Sequence, residues 1–253
     1  MSLFSLQGRI HVGTRLVSGK PGPLSWVGNV PEATLALATE TTPKTESFSG
    51  QRLSYGRLQT SKSGTFNLTL DEWSLKNLAM GLYSASANTA TGTVTDEAFP
   101  SALVAGDQIR LEHPYASALV IEDSASGTPA TLTAGTHYRL MGHNASMIEL
   151  LDVASLTQPF LASYSYAAYD QIGAFSVASP ERYVVFDGVN TETGEGVLID
   201  VYRVRFDPIS ELGLIHQEYG SLSLAGSLLF DELNNSGGQE AGFFRIRQKA
   251  PTP

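Results

Sequence analysis

The chain contains no cysteine. Disulfides, thiolate nucleophiles and cysteine-ligated zinc are therefore excluded. Basic residues are scarce as well. Sixteen Lys and Arg face 25 Asp and Glu, giving a formal net charge of −9 and a pI near 5.0. That balance does not supply the cationic phosphate contacts on which non-specific DNA affinity rests. No apolar run approaches the roughly 18 residues that a membrane-spanning helix needs. The opening stretch, MSLFSLQGRIHVGTRL, lacks a basic segment followed by an apolar block, so no secretory signal is expected. Tryptophan occurs twice, at Trp26 and Trp73, too sparsely for a sugar-stacking platform.

Catalytic signatures are also missing. The five histidines are His11, His113, His137, His143 and His216, and none shows HExxH or i, i+4 spacing on a helix. No metal and no cofactor are expected. There is no GxSxG elbow, phosphate-binding loop or dinucleotide fingerprint. The acidic stretch Asp187 to Asp200 shares only composition with a calcium loop and reads as a solvated hairpin. No carboxylate pair stands out for glycoside hydrolysis.

Strand signals dominate what is present. In SLSLAGSLLFDE, Leu222, Leu224, Leu228 and Phe230 alternate with Ser221, Ser223, Ala225 and Ser227. TFNLTL sets Phe66, Leu68 and Leu70 against Thr65, Asn67 and Thr69, and Tyr202, Val204 and Phe206 alternate with Arg203, Arg205 and Asp207. Period two marks sheets with one buried face. A single helix is expected in DEWSLKNLAMGLYS, with Leu75, Leu78, Ala79 and Leu82 forming its apolar stripe. Asp71 is its expected N-cap, and Trp73 is read as the edge of the helix–sheet core.

At 253 residues, 42% hydrophobic and 16% charged, the chain has enough apolar material for one large domain or two modest ones. SASANTATG, from Ser84 to Gly92, reads as a linker. The short strands that follow read as a small β-sandwich over residues 92–170, inserted into a host domain formed by 1–91 and 171–253. A polar excursion, TETTPKTESFSGQRLSYG, spans residues 39–56 and reads as a long loop between strands. The C-terminal segment 234–253 opens with Asn and Gly, then places Phe243, Phe244, Arg245 and Arg247 together. It is either a disordered tail or an arm that docks on a neighbouring subunit.

The order of these motifs resembles that of phage tail tube proteins, the major tail proteins of long-tailed phages. GNVPEATLALATET, a long polar loop and GTFNLTLDEWSLKNLAMGLYS are similar to the first half of that family. VLIDVYRVRFDPISELGLIHQEYGSLSLAGSLLFDE is similar to the second half. The resemblance implies an all-β fold: a tail-tube-type β-sandwich or barrel with one flanking helix, here carrying an inserted immunoglobulin-like sandwich. It implies hexameric rings stacked into a tube that conducts DNA without binding it specifically. The implied location is the virion tail, after assembly in the host cytoplasm. Implied partners are copies of the chain itself, with tail terminator, tape measure and tail-tip proteins, and no membrane.

On that resemblance, Thr42, Lys44, Glu46, Gln51 and Arg52 belong to a loop that reaches the adjacent ring. Glu40, Ser221, Ser223, Ser227 and Asp231 are candidates for the lumen wall. Many family members carry the extra domain C-terminally, whereas here it lies mid-chain. The competing readings are a carbohydrate-binding or adhesion sandwich of a tail tip, and a hydrolase on a β scaffold.

Overall fold

The computed structural model describes residues 3–235 and 242–249. Strand makes up 48% of the described residues and helix 5%, so the fold is all-β. In chain order the elements are β1 (Leu6–Thr14), β2 (Ser25–Trp26), β3 (Glu32–Thr45), β4 (Ser54–Leu70), α1 (Leu75–Leu82), β5 (Ala87–Thr89) and β6 (Gly92–Ala98). Then follow β7 (Gln108–Arg110), β8 (Ala116–Glu122), β9 (Tyr138–Met141), β10 (Met147–Leu150), β11 (Leu161–Tyr166) and β12 (Tyr169–Gln171). Last come β13 (Arg182–Asn190), β14 (Gly196–Phe206), β15 (Leu222–Leu228) and β16 (Phe244–Gln248). The chain forms two compact units, residues 1–86 with 172–253, and residues 87–171.

The first unit is one eight-stranded sheet in the order β2-β1-β13-β14-β15-β4-β3. The outer edge of β14 is shared. Its Val204–Phe206 end pairs with β15, and its Val197–Val201 end pairs with β16. The alternating runs build the core as period two requires. Phe66, Leu68, Leu70, Val204, Phe206, Leu222, Leu224 and Leu228 are all buried in one cluster. The sheet curls, because only residues 27–31 join β2 at one end of this order to β3 at the other. Burial of these apolar side chains is the main stabilising term, at about 25 cal/mol per Å².

Helix α1 covers the core, with two departures from the sequence reading. Its N-cap is Ser74, whose hydroxyl accepts from Asn77 N at 3.1 Å. Asp71 lies too far upstream and is bonded by Asn29 Nδ2. Trp73 therefore precedes the helix and is exposed, not at the core edge. The buried face is Asn77, Leu78, Met80 and Gly81, with Leu75 and Leu82 half-buried. Asn77 is tolerated inside because its side-chain amide donates to Val27 O at 2.9 Å. A Cβ at Gly81 would lie 2.1 Å from Ile209 Cγ1, so the helix could not approach as closely with any larger residue.

The second unit has two three-stranded sheets, β7-β10-β9 and β6-β11-β8, and a two-stranded ladder, β12-β5. Leu111, Ile121, Ile148, Leu150, Phe160 and Ala162 are fully buried in its own core. Asp123 is buried too. Its carboxylate accepts backbone N–H bonds from Ala130, Thr157 and Ala125, which hold its pKa below the ordinary aspartate value.

The expected linker Ser84–Gly92 is structured. Ser84 is buried and accepts from Gly173 N at 3.1 Å, and β5 pairs with β12 from Ala87↔Gln171 to Thr89↔Tyr169. Small polar residues suited these ladders as well as they would suit a linker. The second unit thus begins at Ala87 and not at residue 92.

Antiparallel partners lie about 4.5–5.5 Å apart between Cα atoms. Ala87 and Gln171 are such partners, so the two ends of the second unit are adjacent. Excising residues 87–171 and joining Ser86 to Ile172 by a short Gly/Ser bridge should leave a soluble, folded first unit. Loss of a cooperative thermal transition in the excised protein would show that the two units are not independent.

Candidate assembly surfaces

The segment read from sequence as a loop, residues 39–56, is mostly strand. β3 and β4 pair continuously from Glu32↔Thr69 to Thr45↔Ser54. The sequence hides this because the segment lacks apolar alternation. Both of its faces meet solvent, so no periodic burial marks it. The third strand, β15, pairs with β4 only between Leu70 and Thr65. From Gly64 to Ser54 the hairpin has no third strand. At about 3.3 Å per residue that is an arm of roughly 33 Å.

Gly64 marks where the arm leaves the core, since a Cβ there would lie 2.8 Å from Leu228 and 3.0 Å from Leu37 side-chain atoms. Pairing shifts at Glu40/Thr41 and at Lys44/Thr45 insert Thr60 and Tyr55 as extra residues and add twist. Pro43 removes a donor from the outer strand, which disfavours edge-to-edge addition of another strand. The arm's faces are thus its available surfaces. They expose Leu37, Tyr55 and Leu58, and the tip exposes Phe48 and Leu53.

Thr42 and Lys44 lie on β3, opposite Leu58 and Gly56, and are exposed. Gln51 and Arg52 are exposed in the turn, Arg52 with φ +52°. Glu46 departs from its expected outward role. It is 7% exposed, and its carboxylate accepts from Phe48 N at 2.7 Å, Ser49 N at 2.8 Å, Leu53 N at 3.3 Å and the Ser49 hydroxyl. The Ser49 hydroxyl and these N–H groups hold its pKa down to about 2. Glu46 therefore organises the tip rather than presenting a charge. Phe48 and Tyr55 meet edge-on across the tip, 6.1 Å between ring centres.

The outward face of β3, β4 and β15 is built from small polar residues. Cross-strand rows run Glu32–Thr69–Ser223, Thr34–Asn67–Ala225 and Ala36–Thr65–Ser227, then continue as Ala38–Ser63 and Glu40–Ser61. Glu40 accepts from the Ser61 hydroxyl at 3.0 Å. Arg205, opposite Ser227, borders this face on β14. Glu32 was missed by the sequence reading, although it shares the alternation of Glu40. Ser221 falls just before β15 and lines a groove described below.

Asp231 is not on this face. The alternation stops at Leu228, Phe230 turns out to solvent, and Asp231 is 0% exposed. It pairs in bidentate fashion with Arg15, at 2.8 and 2.7 Å, and caps the short 3-10 turn Glu232–Asn234. The Arg15 bonds come first among the causes that lower its pKa. A second bidentate pair, Arg203–Glu181, stands nearby at 2.8 and 2.5 Å.

Of the C-terminal segment 234–253, residues 236–241 and 250–253 lie outside the described residues. Its strand, β16, pairs with β14 of the same chain. Phe243 and Phe244 pack on the chain's own core, and Phe243 meets Phe230 edge-on at 6.1 Å. Arg247 pairs with the buried Asp200, and Arg245 lies 4.0 Å from it. The two aromatics and both arginines thus serve the fold in place of the expected neighbour. Only Ile246 of this strand is an exposed large apolar residue.

A groove of about 230 Å³ opens at the Leu70 end of β4, lined by Asp71, Glu72, Trp73, Leu78, His216, Tyr219 and Ser221. One wall is the irregular stretch between β14 and β15. His216 is wedged between two glycines there. A Cβ at Gly213 would lie 2.4 Å from its ring, and one at Gly220 2.8 Å.

In the second unit, His113 stacks on Tyr166 at 3.9 Å, and its Nδ1 lies 2.9 Å from the Tyr169 hydroxyl. These rings are turned on one another and not laid out as an open platform. Among the described residues, no three His, Asp or Glu side chains gather as a metal site, and no helix is long and apolar enough to cross a membrane.

Two outcomes follow. Asp231→Ala should cost about 1.5–3 kcal/mol by removing the acceptor of the half-buried Arg15 and of Leu233 N and Asn234 Nδ2, read from urea unfolding. Asp231's contribution is present above the ordinary carboxylate pKa and fades as pH falls through its lowered one. Glu46 behaves in the same sense. Its folded pKa is depressed, so tip order should persist above about pH 4.5 and be lost as pH falls toward about 2. Hydrogen exchange at Phe48, Ser49 and Leu53 would follow this. Unchanged protection in Glu46→Ala would refute the capping role.

No curated protein matches the chain. Residues 3–247 match a family described as "Protein of unknown function UCP028589", a span that includes both units, and the chain belongs to that family.

Proposed function

We propose that the chain is a structural subunit of a phage-type tail tube, forming hexameric rings that stack into a conduit for DNA. The observation that carries this reading is the β3–β4 arm. A two-stranded hairpin is marginally stable on its own in water. Here one extends roughly 33 Å past the last third-strand pair and ends in exposed Phe48 and Tyr55. Such a structure is completed by a neighbour. A contact made between different surfaces of two copies gives a ring where its rotation closes and a filament where it does not, and a contact along the tube axis is of the second kind.

The small polar face of β3, β4 and β15 supports the same reading. It carries Glu32 and Glu40 against one bordering arginine, Arg205. DNA presents about one negative charge per 1.7 Å of axis. A wall poor in cations lets it pass without capture. In this reading the chain has no catalytic site. Its partners are its own copies and the proteins that begin, measure and end a tail, and its place is the virion.

Electron microscopy of the purified protein tests this directly, and rings or tubes are expected. Replacing Thr41–Thr60 by an Asn-Gly turn between Glu40 and Ser61 should then give a soluble protein. Its melting temperature should lie within about 2 °C of the parent, since little buried surface is removed. It should not elongate into tubes. Normal long tubes from the shortened protein would refute the arm's role, and dispersed monomers of the intact chain would refute the reading as a whole.

A further inference from the structure

The groove beside Trp73 sits at the opposite end of β4 from the arm tip. β4 runs from Ser54 at the tip to Leu70 at the groove, a span of about 53 Å at 3.3 Å per residue. One strand therefore carries a projecting end and a concave end. We infer that the arm tip of one copy seats in this groove on the next copy, a pairing that rests on the tail-tube reading and specifies its axial contact.

The chemistry of the two ends is complementary. Residues 38–63 of the arm hold Lys44, Arg52, Arg57 and Lys62 against Glu40 and Glu46, an excess of two positive charges on a chain of net −9. The Glu46 charge is already engaged by the tip's own N–H groups. The groove presents Asp71 and Glu72, and Glu211 and Glu218 are exposed in the stretch that forms its wall. The one basic side chain of α1, Lys76, is held by the Ser25 hydroxyl at 2.5 Å. Opposite signs that meet in this way set register and favour the right partner.

Shape and polarity agree with charge. The tip offers Phe48, 80% exposed, beside Tyr55, 68% exposed. The groove offers Trp73 and a fully exposed Tyr219. Its volume of about 230 Å³ is below the roughly 300–1,000 Å³ of sites for drug-sized ligands. It suits a single aromatic side chain. In the wall, His216 packs between Gly213 and Gly220, with its Nε2 3.2 Å from Gly213 O.

The absence of cysteine makes the test clean. Copies carrying only Ser47→Cys, next to the tip aromatic, are mixed with copies carrying only Gln217→Cys, next to the groove wall, and oxidised. Both positions are exposed and leave Phe48, Trp73 and Tyr219 in place, so folding and the contact are retained. The control pairs Ser47→Cys with Val104→Cys, an exposed position in the second unit. We expect the heterodisulfide between positions 47 and 217 at ten or more times the control yield. A chain carrying both substitutions should give a ladder of multimers on a non-reducing gel, because each copy is bound at both ends. Tubes in the microscope without this heterodisulfide above control would overturn the groove assignment and leave the tail-tube reading standing. Neither tubes nor heterodisulfide would overturn both.

Discussion

The ladder between β4 and β15, from Leu70↔Leu222 to Thr65↔Ser227, governs what the rest of the first unit can do. Along it, every second side chain is a leucine, glycine or phenylalanine turned to the core, and every other is small and polar. The buried half fixes the register, because a one-residue slip would turn Leu222, Leu224 and Leu228 to water. With register fixed, Ser223, Ala225 and Ser227 must line up with Thr69, Asn67 and Thr65, and the polar face follows. Where the ladder stops, at Thr65, β4 loses one neighbour and the arm begins. The small polar face and the projecting hairpin are thus two consequences of one pairing.

Charge is divided unevenly between the units. Residues 87–171 hold nine acidic and two basic side chains, and the first unit holds 16 and 14. Most of the net −9 therefore resides in the inserted unit. The acidity of the whole chain is not a property of the polar face. That face is close to neutral, with Glu32 and Glu40 set against Arg205. If it lines a conduit, its inertness toward DNA comes from a lack of cations and from short side chains. Strong repulsion is not needed. Screening at physiological salt acts over about 8 Å, so charges on a remote surface contribute little there.

The parts of the fold that bury one face of a strand were legible in the sequence. Phe66, Leu68 and Leu70, or Val204 and Phe206, announce themselves by period two; the inserted strands were set apart by their shortness and by the small polar run Ser84–Gly92, which is itself structured. Elements that bury neither face were not legible. Residues 39–56 look like a loop because nothing in a two-sided, solvent-facing hairpin enforces alternation. Phe230 and Asp231 were extrapolated past the point where β15 ends, and the fold exchanged their places: the aromatic ring went out and the carboxylate went in, made tolerable by Arg15. β16 was hidden for a different reason. Its partner, β14, lies more than 40 residues away in sequence, and local composition cannot distinguish pairing in cis from docking in trans. Glu46 was visible as a charge, but its inward turn depends on Ser49 and Leu53 closing a particular turn around it.

An ordered arm also changes how premature assembly is restrained. A disordered loop would meet its ordering cost on docking and so keep free copies apart. Here the ladder and the Glu46 cap order the arm beforehand, which lowers that cost. On the proposed assembly, restraint must come from the size of the contact. A groove that takes one aromatic side chain falls well short of the roughly 1,000 Å² expected of a stable interface. A single arm and groove would hold two copies weakly. A ring would present six arms to six grooves at once, and linked weak contacts multiply into strong ones when the geometry lets all engage together. Stacking would then be a property of closed rings and not of free subunits, and the order of events, ring before tube, would follow from the smallness of the groove.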